Sequence, residues 1–180
     1  MDEAIGMDEA MKHPVKLIAG LAMLGAVLTA PVKAADDASI DEGTIAALGD
    51  PATAVRRANS MARRGVPRGE ALLGYMYEHG LGVPQSWPAA VDYYLLAAEH
   101  GDPTGQYLLG LMYDKGFGVS RDVVLAYKWL DLAAARAPKG NREYFLRLRD
   151  AIASKMTRAQ LDLGQQLALE WSMLRMGRQP

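Results

Sequence analysis

The sequence predicts an all-α fold, an α/α superhelical solenoid of helix pairs, and three observations carry that expectation. LGYMYEHGLGV at Leu73–Val83 returns almost unchanged as LGLMYDKGFGV at Leu109–Val119. Self-similarity at a period of roughly 20–50 residues marks stacked supersecondary units, whereas an active-site loop needs writing only once. The apolar residues inside each copy recur at helical spacing, and alanine is abundant, as close-packed helices need at their contacts. At 180 residues and 19.5 kDa the chain suffices for one domain with a real core.

Taken from the start, the elements read as follows. Residues 1–10, MDEAIGMDEA, are acidic and out of character before an export signal, and are expected to be a non-native extension ahead of the true start at Met11. Residues 11–34 read as a signal peptide: Lys12, His13 and Lys16 form the positive region, Leu17 to Ala30 the apolar run, and Val32-Lys33-Ala34 a small-x-small cleavage site, with the cut after Ala34. The apolar run falls short of the roughly 20 residues that a membrane-spanning helix needs, so no stable membrane insertion is expected after cleavage. The mature protein is then periplasmic or secreted. Residues 35–50 carry Asp36, Asp37, Asp41, Glu42 and Asp50 with no basic residue and read as an acidic flexible linker.

The repeat domain is expected over 51–173, with full units at about 68–103 and 104–139. Laying each residue over the one 36 positions on gives ungapped identity at Gly69/Gly105, Leu72/Leu108, Leu73/Leu109, Gly74/Gly110, Met76/Met112, Tyr77/Tyr113, Gly80/Gly116, Gly82/Gly118, Val83/Val119, Ala90/Ala126, Ala97/Ala133 and Ala98/Ala134. Leu72, Leu73, Met76 and Tyr77 make one apolar stripe of a first helix. Gly80 stands where a left-handed stop belongs, and Val83 is the plug between the helices. Ser86 and its counterpart Asp122 stand at N-caps, with Pro88 tolerated in the first turn. The second helix shows Ala90, Tyr94, Ala97 and Ala98 on one face and ends at His100-Gly101. Gly74 and Gly110 lie inside a helix, where glycine costs about 0.5–1 kcal/mol against alanine; close approach to the Ala-rich face of the second helix is the expected compensation.

The period extends weakly both ways. Ala54, Ala62 and Gly65 fall under Ala90, Ala98 and Gly101, so the partial unit 51–67 holds the second helix of a preceding pair. The partial unit 141–173 takes a first helix over 141–154, then a capping box at Thr157 and Gln160 that opens a last helix to about Trp171. Residues 174–180 read as a tail. Terminal units are expected to be atypical because one face meets water.

On these residues the chain resembles Sel1-like repeats, relatives of tetratricopeptide repeats, of the exported bacterial type. Leu73-Gly74, Met76-Tyr77, Gly80-Leu81-Gly82-Val83, Ala90, Tyr93-Tyr94 and Ala97-Ala98 carry the pattern in the first copy. Leu109-Gly110, Met112-Tyr113, Gly116, Gly118-Val119, Asp122, Ala126, Trp129 and Ala133-Ala134 carry it in the second. Ser86 with Trp87-Pro88 replaces the usual Asp-led helix start, and Ala137-Pro138 the closing glycine. The resemblance implies a protein–protein interaction adaptor, or a regulator of an envelope partner, and not an enzyme. The alternative it offers is a β-lactam-binding or -hydrolysing protein of the cysteine-rich Sel1-like type, which this cysteine-free chain disfavours.

Composition narrows the chemistry further. Having no cysteine removes thiol catalysis, disulfides and thiolate metal sites, and no metal or other cofactor is expected. Charges nearly cancel, 20 basic against 21 acidic, so no global field draws the protein to nucleic acid. Beyond residue 50 the balance is 17 basic to 12 acidic, with Arg56-Arg57 and Arg63-Arg64 close together on one helix; a solvated face is the plain reading and an acidic partner the sharper one. Gly80-Leu81-Gly82 lacks the third glycine and the lysine of a phosphate loop and ends a helix instead of opening one. His79 and His100 sit at equivalent helix ends, where an imidazole meets the last carbonyls. Between the repeated core positions, Tyr75 and Leu111 are the expected partner-binding anchors, with Glu78, His79, Asp114 and Lys115 at the rim. Two full and two partial units sit near the minimum of about three for a self-supporting stack, which leaves room for weak homodimerisation through an exposed end.

Overall fold

The computed structural model describes residues 40–177. Residues 1–10, the signal segment and the last three residues of the tail lie outside them. Among the described residues all regular structure is helical: α1 Glu42–Ala46, α2 Pro51–Arg63, α3 Pro67–His79, α4 Trp87–Glu99, α5 Pro103–Lys115, α6 Val123–Arg136, α7 Lys139–Ala153 and α8 Arg158–Met176. First helices start at residues 67, 103 and 139 and second helices at 51, 87, 123 and 158. The period read from residue identity is therefore a period of helix starts, and the molecule is an all-α solenoid of helix pairs.

Local chemistry fixes each boundary. Asp50, Ser86, Asp102, Asp122 and Thr157 cap the helices that follow them, each accepting from a backbone N–H in the first turn. Gln160 returns a bond to the Thr157 N–H at 2.9 Å, completing the capping box. Gly80 and Gly116 stop α3 and α5 in the left-handed conformation at φ 68° and 73°. Val83 and Val119 then pack against successive apolar clusters.

Two kinds of helix contact build the pile. Where one unit meets the next, Gly69 of α3 and Gly105 of α5 press on the preceding helix: a Cβ at Gly69 would stand 2.4 Å from Met61 Cβ, and one at Gly105 2.5 Å from Ala97 Cβ. Within a unit, Gly74 and Gly110 approach the second helix closely, as expected, but the nearest groups are large side chains, with alanine backbone met only at Gly110. A Cβ on Gly74 would meet the Tyr94 ring at 2.4 Å, and one on Gly110 would meet Leu130 Cγ at 2.9 Å and the Ala126 carbonyl oxygen at 3.2 Å. The missing side chain makes room for a large buried residue, and that packing offsets the intrinsic cost of glycine.

The two ends depart from the sequence reading. Residues 35–50 are expected as flexible linker, but from residue 40 onward the structure shows otherwise. Ile40 and Ile45 are buried against Ala54, Ala58, Leu72 and Leu73, and Asp41 caps the short α1 by accepting from the N–H and hydroxyl of Thr44. The acidic residues Asp41 and Asp50 thus serve as helix starts, and their threonine hydrogen bonds hold both carboxyls below the usual range. At the other end α7 begins at Lys139 and α8 runs to Met176, past the expected stop at Trp171 and into the expected tail. α8 packs chiefly on α6, since Gly164 receives the Tyr127 ring and Trp171 meets Trp129 edge-on at 6.1 Å. Arg175 then donates to the carbonyls of Glu99 and His100, tying α8 to the end of α4.

Candidate functional site

The six expected partner-binding residues lie on the last two turns of α3 and α5, which are neighbours in the stack. His79 and Lys115 are exposed, Tyr75 and Leu111 half-buried. The His79 ring stacks on Tyr75 with centroids 4.0 Å apart and planes 25° from parallel, and its Nδ1 lies 3.0 Å from the Tyr75 carbonyl oxygen. Together they form a small aromatic platform whose outer ring meets water. Its inner ring touches the apolar clusters of both units, so the platform stands on the joint between them.

Glu78 and Asp114 are corrected: neither is a free rim residue. Glu78 is half-buried, and its carboxylate accepts the Tyr94 hydroxyl at 2.6 Å. Tyr94 is fully buried beneath Gly74. Burial first, and the Glu78 charge second, push its phenol well above the ordinary range, so it remains a donor. Asp114 is 6% exposed and held by Lys115 at 3.1 Å and Arg121 at 3.8 Å. The two copies solve one problem in two ways. Tyr94 of α4 supplies a hydroxyl to Glu78, whereas its counterpart Leu130 has none, so Asp114 recruits cations from its own helix end and loop.

Tyr94→Phe removes that donor while keeping the ring under Gly74. Because half-exposed Glu78 regains water, the expected loss is about 1–2 kcal/mol of stability, read as a lower urea midpoint with unchanged slope. A midpoint equal to the parent's would show that the bond contributes nothing.

Residues that sequence reasoning did not mark for binding also meet in space. Trp171 lies under two guanidinium groups, Arg136 at 4.7 Å and Arg175 at 5.2 Å from its ring, and its Nε1 donates to Glu99 Oε2 at 3.2 Å. Desolvation, with Arg175 nearby, lowers the Arg136 pKa. Phe117, in the loop after α5, tilts onto Trp87 at 4.7 Å and leaves nearly half its surface exposed. No group of three or more metal-ligating side chains occurs among the described residues, and no helix there is long and apolar enough to cross a membrane.

Comparison with known proteins places this geometry. The Sel1 repeat family matches residues 67–102 and 103–137, which are α3–α4 and α5–α6 with their linkers. A protective antigen present in uropathogenic Escherichia coli strains, displaying an SLR fold, superposes with a TM-score of 0.61 at 29% identity over 67% of this chain. The match spans a quarter of that protein's length, 25%. A Sel1 repeat protein from Oxalobacter formigenes matches at 38% identity over 53% of this chain and 71% of its own, with a TM-score of 0.48. No curated protein matches. The chain belongs to the Sel1 repeat family, with two repeats in the middle of the described stack and helices α1–α2 and α7–α8 at its ends.

Proposed function

We propose that the protein is an exported adaptor that binds a partner protein of the cell envelope and regulates it, using the α3–α5 face around Tyr75, His79 and Leu111. Sel1 repeats support a protein–protein interaction role in general, and the fold is typically a non-enzymatic scaffold. The observation that carries the proposal here is the Tyr75–His79 stack, an aromatic surface held rigid by the core on one side and open on the other. Preformed aromatic anchors of this kind dominate binding energy at interfaces and lose little entropy on docking. Export rests on the tripartite segment Met11–Ala34, and intact-mass measurement of the protein from cells checks it: a mature start near Ala35 is expected, and a chain retaining the segment would overturn it.

The face itself is tested by pull-down from envelope extracts with the parent and the double variant His79→Ala/Leu111→Asp, the first exposed and the second half-buried outside the apolar core clusters, with circular dichroism confirming that the variant keeps its helical fold. Partner recovery should fall at least about tenfold, as loss of a hot spot of about 2 kcal/mol implies. Equal recovery would place binding elsewhere.

A further inference from the structure

The outward face of α2 carries an arrangement that the repeat does not require. Arg56, Asn59, Ser60 and Arg63 follow one another at helical spacing on the side opposite the buried Ala54 and Ala58, and with Arg64 they line an open groove of about 420 Å³. Several exposed arginines elsewhere have carboxylates in reach, Arg121 with Asp114, Arg147 with Glu143 and Arg158 with Asp162, while Arg136 lies over the Trp171 ring. Among the described residues Arg56, Arg57, Arg63 and Arg64 form no ion pair. Four like charges on about two turns repel one another, and within the fold Asp50 offsets only part of that charge, through its attraction to Arg56.

Two of the guanidinium groups are also held in place. Arg56 Nη2 donates to Thr53 Oγ1 at 2.7 Å while Thr53 donates to the capping carboxylate of Asp50. Arg64 Nε donates to the Ser60 carbonyl oxygen at 3.2 Å. Each arginine keeps further N–H donors free for a ligand. The groove is thus a preformed row of fork-shaped cations separated by the neutral groups of Asn59 and Ser60.

We propose that this groove docks an acidic peptide segment, a short run of Asp and Glu carboxylates belonging to a protein partner. Guanidinium forks bind carboxylates through paired, charge-assisted hydrogen bonds, while an amide and a hydroxyl between them suit the main chain of an extended peptide. A lipid surface fits less well, because surface helices enter a bilayer through apolar side chains. The exposed large apolar residues lie on α4, α8 and the loop after α5, not on α2. A single-stranded nucleic acid fits less well too, since no aromatic ring lines the groove on which a base could stack. The proposal rests on the reading of the chain as a partner-binding protein and adds the chemistry of one contact, distinct from the α3–α5 face.

The test uses the full chain and a fluorescein-labelled peptide of alternating Glu and Gly, read by fluorescence anisotropy at low salt, where surface charge is least screened. Saturable binding is expected for the parent. Arg56→Glu/Arg63→Glu should weaken it at least about tenfold, whereas Arg147→Glu/Arg158→Glu, an equal change in net charge at ion-paired sites, should change it less than about twofold. Both variants should keep the helical circular dichroism spectrum and a cooperative melt, since all four side chains are exposed. Absence of parent binding, or equal weakening by the control pair, would overturn the proposal. So would Arg56- and Arg63-dependent sedimentation with phosphatidylglycerol vesicles in place of peptide binding. If the peptide result fails while His79→Ala/Leu111→Asp still loses the envelope partner, the groove is refuted and the adaptor reading stands. If both fail, the adaptor reading falls with it.

Discussion

Gly118→Ala should lower the stability of the protein by about 3 kcal/mol, far more than adding one methyl group ordinarily costs. Two effects add. Gly118 holds φ 70°, a left-handed backbone that costs a residue with a Cβ about 1–2 kcal/mol. The new Cβ would also lie 2.4 Å from the carbonyl carbon and oxygen of Trp87 and 2.8 Å from the nitrogen of Pro88. Those are backbone atoms at the start of α4 and cannot rotate aside as a side chain could, so the loop must lift off the preceding unit at an overpacking cost of about 1–3 kcal/mol. Gly65 provides the control. It has nearly the same φ, 71°, and nothing within 4 Å of its added Cβ, so Gly65→Ala isolates the backbone term and should cost about 1 kcal/mol. Urea unfolding of the two variants checks the difference; equal losses would mean that Gly118 is not a joint between units. A Cβ added at Gly82 would likewise lie 2.6 Å from the Pro51 carbonyl oxygen one unit earlier, which explains why this glycine is written twice.

Trp171→Ala should cost roughly 4 kcal/mol, in the range for removing a large buried aromatic. The ring is 8% exposed, meets Trp129 edge-on and the two arginines over its faces, and donates from Nε1 to Glu99. α8 depends on it because the rest of its buried side, Gly164 and Ala168, offers little area. The loss should therefore be local as well as large. In hydrogen exchange, amides of α8 should lose protection at free energies well below global unfolding while those of α3 and α4 keep theirs. Trp171→Phe, which keeps most of the ring packing but not the N–H, should cost about 1–2 kcal/mol. Uniform loss of protection along the whole chain would show that α8 is not a separately docked cap.

How much of this was legible in the sequence depends on whether the deciding contacts were local. Gly80, Ser86, Asp122 and the Thr157–Gln160 box act within one turn of their own position, and the structure puts each where the residue type implies. Pro67 and Pro103 also recur at the first position of α3 and α5; that repeated proline was a usable signal for both helix starts. α1 was hidden because five acidic residues dominate the stretch 35–50 that contains it, while the burial of Ile40 and Ile45 is set by distant partners, Leu72 and Leu73 among them. The docking of α8 on α6 turns on Gly164 receiving Tyr127, a pairing across 37 positions that no local pattern announces.

The candidate site was legible in part, and helix phase explains the rest. Glu78 lies four residues after Gly74, and Asp114 four after Gly110, so each stands on the face that turns toward the second helix. Reading them at the rim ignored that phase. Tyr75 and His79 are likewise four apart, on a neighbouring face, and stack there. What differs between the copies therefore divides in two. Glu78–Tyr94 against Asp114–Leu130 is an exchange within the packing, whereas Tyr75–His79 against Leu111–Lys115 changes what the stack shows to a partner.

That division is tested most directly by placing a photo-crosslinking amino acid at one exposed position at a time in the protein produced in its own cells. Position 79, at the aromatic platform, should yield a discrete adduct with one envelope protein, and the exposed position 142 on α7 should yield none. No adduct at position 79, or the same adducts from both positions, would contradict a binding face built from the residues that vary between the repeats.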